Sequence, residues 1–525
     1  MERKAFGIDL GTTYSAIAVY EDGGPRLLPN IDGADTTPSV LFFNGVTASG
    51  DDEIIVGQEA KNYAASEPDN TVQFIKRRMG QSGQYVDYVA PSGKIYNPEM
   101  LSSFILKKLC KDASSRVDFP VKDVVITVPA YYDDARRVAT RHAGTIAGLN
   151  VLAVLNEPTA AAIAFGLGRE WHGRVLVYDL GGGTFDVTIM DIDGNRFRTV
   201  ATDGDHALGG FNFDGRMVEL ILKKLGEQGI TIDDEDDQTF ADIRERAEKA
   251  KRILSDYEST NVRLRGVRGA VQITREEFEK ATADLLMRTK VILESTMEAA
   301  ETGWNGIDQL LVIGGSTKMP MVKRMLKEIS GMETAYQADP DTAVAEGAAI
   351  FAGTFDLESG DGHDARDSDR HPSVGRDGEE GIAGISIRDV TSQSLGVITV
   401  DEFTRKRQNT IVIPHNTPIP ARCSKVVYTL ENNQTQVLIQ VTEGNDEDVE
   451  YVNVIGSSTL TLPAYPKGSP MEVIYAYDPD QTIYIEVIDR VANRSMGTFE
   501  IDRSSNMSDH DIRDARELVG RACLE

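Results

Sequence analysis

The sequence predicts an α/β domain with largely parallel sheets, followed by an all-β sandwich and one short C-terminal helix. Three observations carry this expectation. Over residues 1–354 short apolar runs alternate with helical patterns, as when strands are joined by helical crossovers. From residue 389 onward the period falls to two, in runs rich in Val, Ile, Tyr and Thr. Between these regions lies a stretch with almost nothing apolar. The length of 525 residues agrees, since at about 150 residues each it corresponds to roughly three to four domains.

In chain order, Ala5–Asp9, Asp123–Val128, Arg174–Leu180 and Gln309–Gly314 read as buried strands. Helical patterns follow at Asp133–Gly148 and Met319–Ser330, with further helices at Asp214–Gly229, Thr239–Ser255 and Arg275–Thr302. The five acids Asp233–Asp237 precede or cap one of these helices. Residues 355–388 form an insert and linker. Within them, Asp356–Glu380 holds nine acids, three bases and four glycines. Such a segment cannot bury enough surface to offset its ordering entropy and is expected to be a flexible acidic linker. Residues 389–504 then supply strands at Val426–Leu430, Gln436–Thr442, Thr459–Leu462, Met471–Tyr477 and Thr482–Ile488. Residues 505–525 close the chain with a helix: Ser508 and Asp511 make a capping signal, and Ile512, Ala515, Leu518 and Val519 make an apolar stripe.

Acids outnumber bases 83 to 55, a formal charge of −28. That argues against nucleic acid or an anionic membrane surface as a partner. No run reaches the roughly 18 apolar residues of a membrane span, and the N-terminus leads straight into a strand without an apolar signal core. Cys110, Cys423 and Cys523 have no metal-ligand or disulfide spacing. A cytoplasmic protein with free thiols is expected.

An internal echo carries the chemistry. Asp9-Leu-Gly-Thr-Thr-Tyr-Ser recurs 170 residues later as Asp179-Leu-Gly-Gly-Gly-Thr-Phe-Asp. Each reads as strand, glycine turn, strand. Gly11, Gly181, Gly182 and Gly183 can present bare amides to an anion, and Thr12, Thr13 and Thr184 add hydroxyl donors. Each loop opens on an aspartate, and Asp186 adds a third. Carboxylates beside phosphates repel unless a cation intervenes, so two such loops in equivalent halves predict a nucleotide with Mg²⁺. A third element, Gly314-Gly315-Ser316, follows a buried strand and opens a helix, a placement suited to anions. A fourth, Glu248, Lys251 and Arg252, shares one helix face; taken alone it is an ordinary salt-bridged surface.

Five motifs in order resemble the 70-kDa heat-shock chaperones of the DnaK type: Gly7-Ile-Asp-Leu-Gly-Thr-Thr-Tyr-Ser, Val128-Pro-Ala-Tyr-Tyr, Asn156-Glu-Pro-Thr-Ala-Ala-Ala, Asp179-Leu-Gly-Gly-Gly-Thr-Phe-Asp and Ile313-Gly-Gly-Ser-Thr. The resemblance covers residues 4–352 closely and 389–520 more loosely. It implies a two-lobed, actin-like ATPase domain before the sandwich, with ATP/ADP, Mg²⁺ and K⁺ as ligands. It matches Lys61 to the lysine that orients the attacking water, and Asp9, Glu157, Asp179 and Asp186 to the carboxylates around the cations. With Thr184, it makes Lys61, Glu157 and Asp179 the catalytic set. Tyr14 falls in the first phosphate motif. Glu248, Lys251, Arg252, Ser255, Gly314, Gly315, Ser316, Lys318 and Asp341 match the adenosine clamp. Pro129, Arg137 and Asp389 match positions that report nucleotide state to the second domain. Val427, Leu430 and Val437 match the lining of a pocket for extended apolar segments of unfolded polypeptides, though on their own they read as sandwich core.

The chain also departs from the resembled pattern. Lys318 stands where an arginine is usual, Ser392 where a proline is usual, and Ala153 where an arginine couples to a J-domain co-chaperone. The docking linker is reduced to Ile385-Ser-Ile-Arg, the Asp401–Asn409 loop carries Arg405, Lys406 and Arg407, and the helical lid is expected to end after one helix. A nucleotide-exchange factor remains an implied partner. The expected function is an ATP-dependent chaperone. The alternative is an ATP-switched adaptor for one folded partner; a small-molecule kinase would leave the sandwich unexplained.

Overall fold

A computed structural model describes residues 3–83, 86–166, 171–232, 236–267, 269–334, 339–355, 357, 384–401, 403–477, 483–500 and 506–525. The acidic segment Asp356–Glu380 lies outside the described residues except for Leu357.

The echo at Asp9 and Asp179 is a structural repeat. In the first lobe Ala5–Asp9 pairs in parallel with Asp123–Val128, which pairs in parallel with Asn150–Asn156. On its other side it pairs antiparallel with Tyr14–Glu21. In the second lobe His172–Leu180 pairs in parallel with Gln309–Ile313 and antiparallel with Phe185–Asp193, which continues to Arg196–Asp205. Each first strand carries a buried apolar run, Ala5–Ile8 and Val175–Tyr178, as expected of a central strand. Phe6 and Ile8, and Leu176 and Tyr178, are fully buried in the separate cores of the two lobes.

The helices Glu157–Gly166 and Ala343–Ala352 cross at the base of the cleft between the lobes. Their Ala- and Gly-rich sequences allow a near-contact of backbones. A Cβ on Gly347 would lie 1.7 Å from the Ala160 carbonyl oxygen, so only glycine fits there.

Two helices differ from expectation. The pattern over Arg275–Thr302 divides into Arg275–Ala281 and Ala283–Ala299, with Thr282 between them donating its hydroxyl to the Phe278 carbonyl at 2.8 Å. The helix expected to begin at Asp214 begins at Gly210, because the Asn212 side chain accepts from the Gly209 amide and starts the first turn. Of the five acids, Asp236 caps the helix Asp237–Asp256 by accepting from the Thr239 amide at 2.9 Å.

Two four-stranded antiparallel sheets form the sandwich. One runs Arg407–Ile413, Leu395–Val400, Gln434–Glu443, Asn453–Tyr465; the other runs Ala421–Tyr428, Pro470–Tyr477, Ile483–Asp489, Arg494–Glu500. Alternation sends Val397, Ile439, Val441, Met471, Val473, Tyr475, Ile485 and Val487 into one shared core. The basic loop is shorter than expected, since strand pairing resumes at Arg407.

The sandwich sits against the ATPase-like domain. Ser386–Arg388 adds as a parallel strand to the edge at Arg196–Arg198. Ile385 is buried and Ile387 packs against the same core, so the shortened linker still docks. The Ser392 hydroxyl donates to the Tyr132 carbonyl at 2.9 Å, a bond that the usual proline could not make. The Thr202 amide donates to Asn416 Oδ1 at 2.9 Å.

The C-terminal helix Asp509–Arg521 starts with the predicted Ser508–Asp511 capping box. It packs on the first lobe, not on the sandwich. Ala515 and Val519 are buried in that lobe's core, with Ile512 and Leu518 beside them. Cys523–Leu524 then pairs in parallel with Glu53–Ile54. Val519→Asp should detach this segment, because it puts a carboxylate into the apolar core that the Val519 side chain fills. Hydrogen exchange should then show lost protection of the Glu525 amide, which donates to the Ile54 carbonyl at 3.1 Å, with little change in the sandwich.

Candidate functional site

The two glycine loops face each other across the cleft. A Cβ on Gly182 would come within 2.5 Å of the Thr13 hydroxyl, and one on Gly183 within 2.6 Å of Thr12. These contacts demand glycine and leave amides and hydroxyls converging on one space. The Ser316 hydroxyl donates to the Gly181 carbonyl at 2.9 Å, as does the Gly210 amide at 3.0 Å, so other chain segments hold the second loop from two sides. Gly314 has φ of +83° and would press a Cβ to 2.5 Å from the Leu180 carbonyl, which fixes the third glycine motif beside the second loop.

One cleft of about 900 Å³ collects these elements. Its inner end, formed by the two glycine loops, is lined by Asp9, Gly11, Thr12, Thr13, Glu157, Asp179, Gly181, Gly182 and Thr184. Its outer end is lined by Tyr14, Lys61, Glu248, Lys251, Arg252, Ser255, Gly314, Gly315, Ser316, Lys318 and Asp341. The size and the mix of apolar walls with convergent polar groups suit a nucleotide. Gly183 lies behind, against Thr12. Asp186 accepts from the Tyr131 amide at 2.8 Å, and its other oxygen has no hydrogen-bond partner among the described residues.

The carboxylates crowd each other. Burial, reinforced by Glu157, pushes the Asp9 and Asp186 carboxyls up to about 7 and raises Asp179 well above its ordinary range. Among the described residues no three His, Cys, Asp or Glu side chains converge closely enough to hold a metal alone. The donors are nonetheless hard oxygens and include one orphaned carboxylate oxygen. They fit a Mg²⁺ that keeps several waters and shares phosphate oxygens.

Lys61 and Lys76 sit differently in the cleft. Lys61 does not reach the carboxylates. Its ammonium pairs with Glu248 at 2.8 Å and donates to the Tyr14 hydroxyl at 3.1 Å, bridging the lobes at the outer end. A buried cation at the inner end is Lys76, which pairs with Glu157. Burial alone would lower its pKa, but Glu157, Tyr132 and Asp9 raise it on balance, so it stays charged. Sequence reading passed over Lys76 because Lys76-Arg77-Arg78 looks like an exposed basic run. A signal existed: Ile75 and Met79, both core residues, flank it.

Lys318 meets Asp341 in an ion pair rather than lying flat across the cleft. Lys251 pairs with Asp214 at 2.8 Å, and Arg252 donates to the Tyr14 hydroxyl at 3.3 Å.

The other expected residues lie outside the cleft. Arg137 is buried, donates to Asn156 Oδ1 and reaches the Ala130 and Tyr132 carbonyls at 3.4 Å. The Pro129 carbonyl accepts from the Tyr132 amide at 3.2 Å in the same turn. Asp389 accepts from the Thr199 and Thr159 hydroxyls at 2.8 and 3.5 Å. On the sandwich, Val427 and Val437 are half-buried against the core while Leu430 is exposed.

A family model described as Hsp70 protein matches residues 5–519. Among similar curated proteins, the chaperone protein dnaK3 of Thermosynechococcus vestitus is 37% identical over 97% of this chain and 74% of its own length. The chaperone proteins DnaK of Thermotoga neapolitana and Thermotoga petrophila are each 39% identical, over 98% and 93% of this chain and 83% and 79% of their own lengths. The match runs through both lobes, the docked linker and the sandwich, and the chain belongs to the Hsp70 family of ATP-dependent chaperones.

Proposed function

We propose that the cleft hydrolyses Mg²⁺-ATP and that the state of the γ-phosphate sets whether the sandwich stays docked, and so how tightly it grips an extended apolar peptide. One observation carries the reading. Glu157, paired with Lys76, adjoins Asn156; Asn156 accepts from Arg137, which lies beside the linker carboxylate Asp389. Contacts are thus continuous from the inner end of the cleft to the linker.

Within this reading the glycine-loop amides with Thr12, Thr13 and Thr184 hold the phosphates, and Lys76 orients the attacking water and neutralises charge. Asp9, Asp179 and Asp186 would hold Mg²⁺ through its water shell, and K⁺ is the second cation the reading implies. Bound Mg²⁺ supplies charge neutralisation between the phosphates. Glu248, Lys251, Arg252, Ser255, Gly314, Gly315, Ser316, Lys318 and Asp341 take the adenosine. Positioning and electrostatics of this kind suffice for phosphoryl transfer. Val427, Leu430 and Val437 contribute the wall of the peptide groove. A nucleotide-exchange factor and a J-domain partner, the latter weakened by Ala153, complete the cycle in the cytoplasm. The dedicated-adaptor reading gains nothing from the relatives, each of which is named a chaperone. No described helix is long and apolar enough to cross a membrane.

The test is fluorescence anisotropy of a labelled Leu-rich heptapeptide titrated with the protein under ATP and under ADP. Weaker, faster-exchanging binding under ATP supports the reading; equal affinity removes it, since equal affinity shifts no equilibrium.

A pH dependence follows from the interface. Glu443 Oε1 accepts from the Asp134 amide at 3.5 Å where the sandwich meets the first lobe. Burial, then Asp133, pushes its carboxyl up to about 8 against the opposing pull of Arg136 and Arg137. Undocked, the group returns to the ordinary carboxylate range near 4.3. The docked form therefore holds the extra proton, and docking weakens as pH rises from that range toward 8, by up to about tenfold per unit. Interdomain energy transfer measured from pH 6 to 8.5 should fall with pH, and Glu443→Gln should flatten the slope.

A further inference from the structure

Besides the Lys61–Glu248 pair at the outer end, the lobes are joined at the inner end by an aromatic contact. Phe74, with φ of +59°, directly precedes the short 3₁₀ turn Ile75–Arg78, which includes Arg77 and whose Ile75 is anchored in the first lobe's core. Opposite them, Phe211 stands at the start of the helix Gly210–Glu227, which is rooted in the second lobe's core through Phe213 and Met217. The Phe74 and Phe211 rings meet edge to face at 4.7 Å, and the Arg77 guanidinium lies 4.5 Å from the Phe211 ring centre. Arg77 also donates to Asn212 Oδ1 and to the Ala207 carbonyl, each at 3.3 Å.

We propose that Phe74, Arg77 and Phe211 form a clasp across the inner end of the cleft and set how fast the hydrolysis products leave. The proposal rests on the nucleotide reading above. Two features tie the clasp to the phosphates. The Phe211 amide donates to the Gly182 carbonyl at 2.8 Å, so movement of Phe211 pulls on the second phosphate loop. On the other side Arg77 directly follows Lys76, and its Cγ would lie 3.1 Å from a Cβ on Gly183. The left-handed backbone at Phe74 is uncommon for a bulky residue and persists only where the surroundings hold it. Arg77 and Phe74 are half-buried while Phe211 is 37% exposed, so the cation–π contact and the aromatic pair each contribute a modest share. Opening the lobes must break both contacts, whereas cleavage of ATP inside the closed cleft leaves both intact. The clasp residues are positioning residues for release.

The test is Phe211→Ala in the full chain. Phosphate release is followed with a fluorescent phosphate-binding sensor, ADP release with a fluorescent ADP analogue, and hydrolysis in a single turnover of preloaded ATP. Release of both products should accelerate by roughly fivefold to thirtyfold, the combined size of an aromatic pair and a cation–π interaction. Single-turnover hydrolysis should stay within about twofold, as expected when the bound-state chemistry is untouched. Phe211→Tyr, which keeps the ring, should behave as the parent does. Unchanged release in a folded Phe211→Ala protein, or equal acceleration by Phe211→Tyr, would overturn the clasp. Slower hydrolysis with unchanged release would overturn it as well. Should Phe211→Ala fail to fold, Arg77→Lys, which keeps charge but stacks less well, reads the same rates. A parent protein that binds no nucleotide would instead overturn the underlying reading.

Discussion

Lys76→Ala should lower single-turnover ATP hydrolysis by about 10²–10³-fold, the usual cost of removing one preorganised charge from a transition state. Lys61→Ala should leave single-turnover hydrolysis nearly intact and act instead on nucleotide residence. The contrast follows from placement. Lys76 is buried, and its charge persists because Glu157, Tyr132 and Asp9 outweigh the effect of burial. Lys61 is committed to Glu248 and Tyr14 at the cleft mouth. Removing Lys76 also strands Glu157, so stability is the control; breaking one half of a buried pair costs about 3–5 kcal/mol. Lys76→Met, which keeps the bulk of the side chain, serves if alanine lowers the melting temperature too far. Binding of a fluorescent ATP analogue should survive in both variants. Hydrolysis lost on Lys61→Ala and retained on Lys76→Ala would reverse the assignment.

Asp389→Ala should uncouple the domains while leaving basal ATP hydrolysis active. Asp389 is half-buried at the junction of linker and sandwich, where it accepts from Thr199 and Thr159 and faces Arg137. Burial raises its pKa, opposed by the Thr199 hydrogen bond and the Arg137 charge. Without the carboxylate, the buried guanidinium faces an empty site and two hydroxyls lose their acceptor. The loss falls on the docked state alone, because an undocked linker is solvated. At about 1–3 kcal/mol for hydroxyls left without an acceptor the docking equilibrium shifts by roughly fivefold to 150-fold. Peptide affinity under ATP should then rise to its ADP value. Asp389→Asn, which can still accept from Thr199, should fall between. A nucleotide-dependent affinity unchanged in Asp389→Ala would mean that the linker carboxylate does not carry the signal.

The paired glycine loops were legible because their chemistry is local. An aspartate, a glycine turn and a hydroxyl within six residues make a site wherever the strand before them is buried, and the repeat at Asp179 told of two facing halves. The strands Ala5–Asp9 and Asp123–Val128 fell where their apolar runs placed them. The lysine was not legible. Lys61 and Lys76 both lie in short helical turns with polar neighbours, and only the packing of Ile75 and Met79 turns one of them inward. The docking of Ile385 and Ile387 was underestimated, because the edge offered by Arg196–Arg198 is made by residues nearly two hundred positions away.

The sequence by itself determined the α/β repeat, the glycine loops with their aspartates, the change to a β-sandwich and the capped amphipathic helix at the end. Each depends on residues within a turn or a strand of one another, where period and turn chemistry leave few alternatives. Only the tertiary structure decided that Lys76 turns inward to Glu157, that the final helix packs on the first lobe, and that Phe211 meets Phe74 and Arg77 across the cleft. These contacts join residues far apart in the chain. Their existence depends on how the two lobes and the sandwich close against one another, which no local pattern encodes.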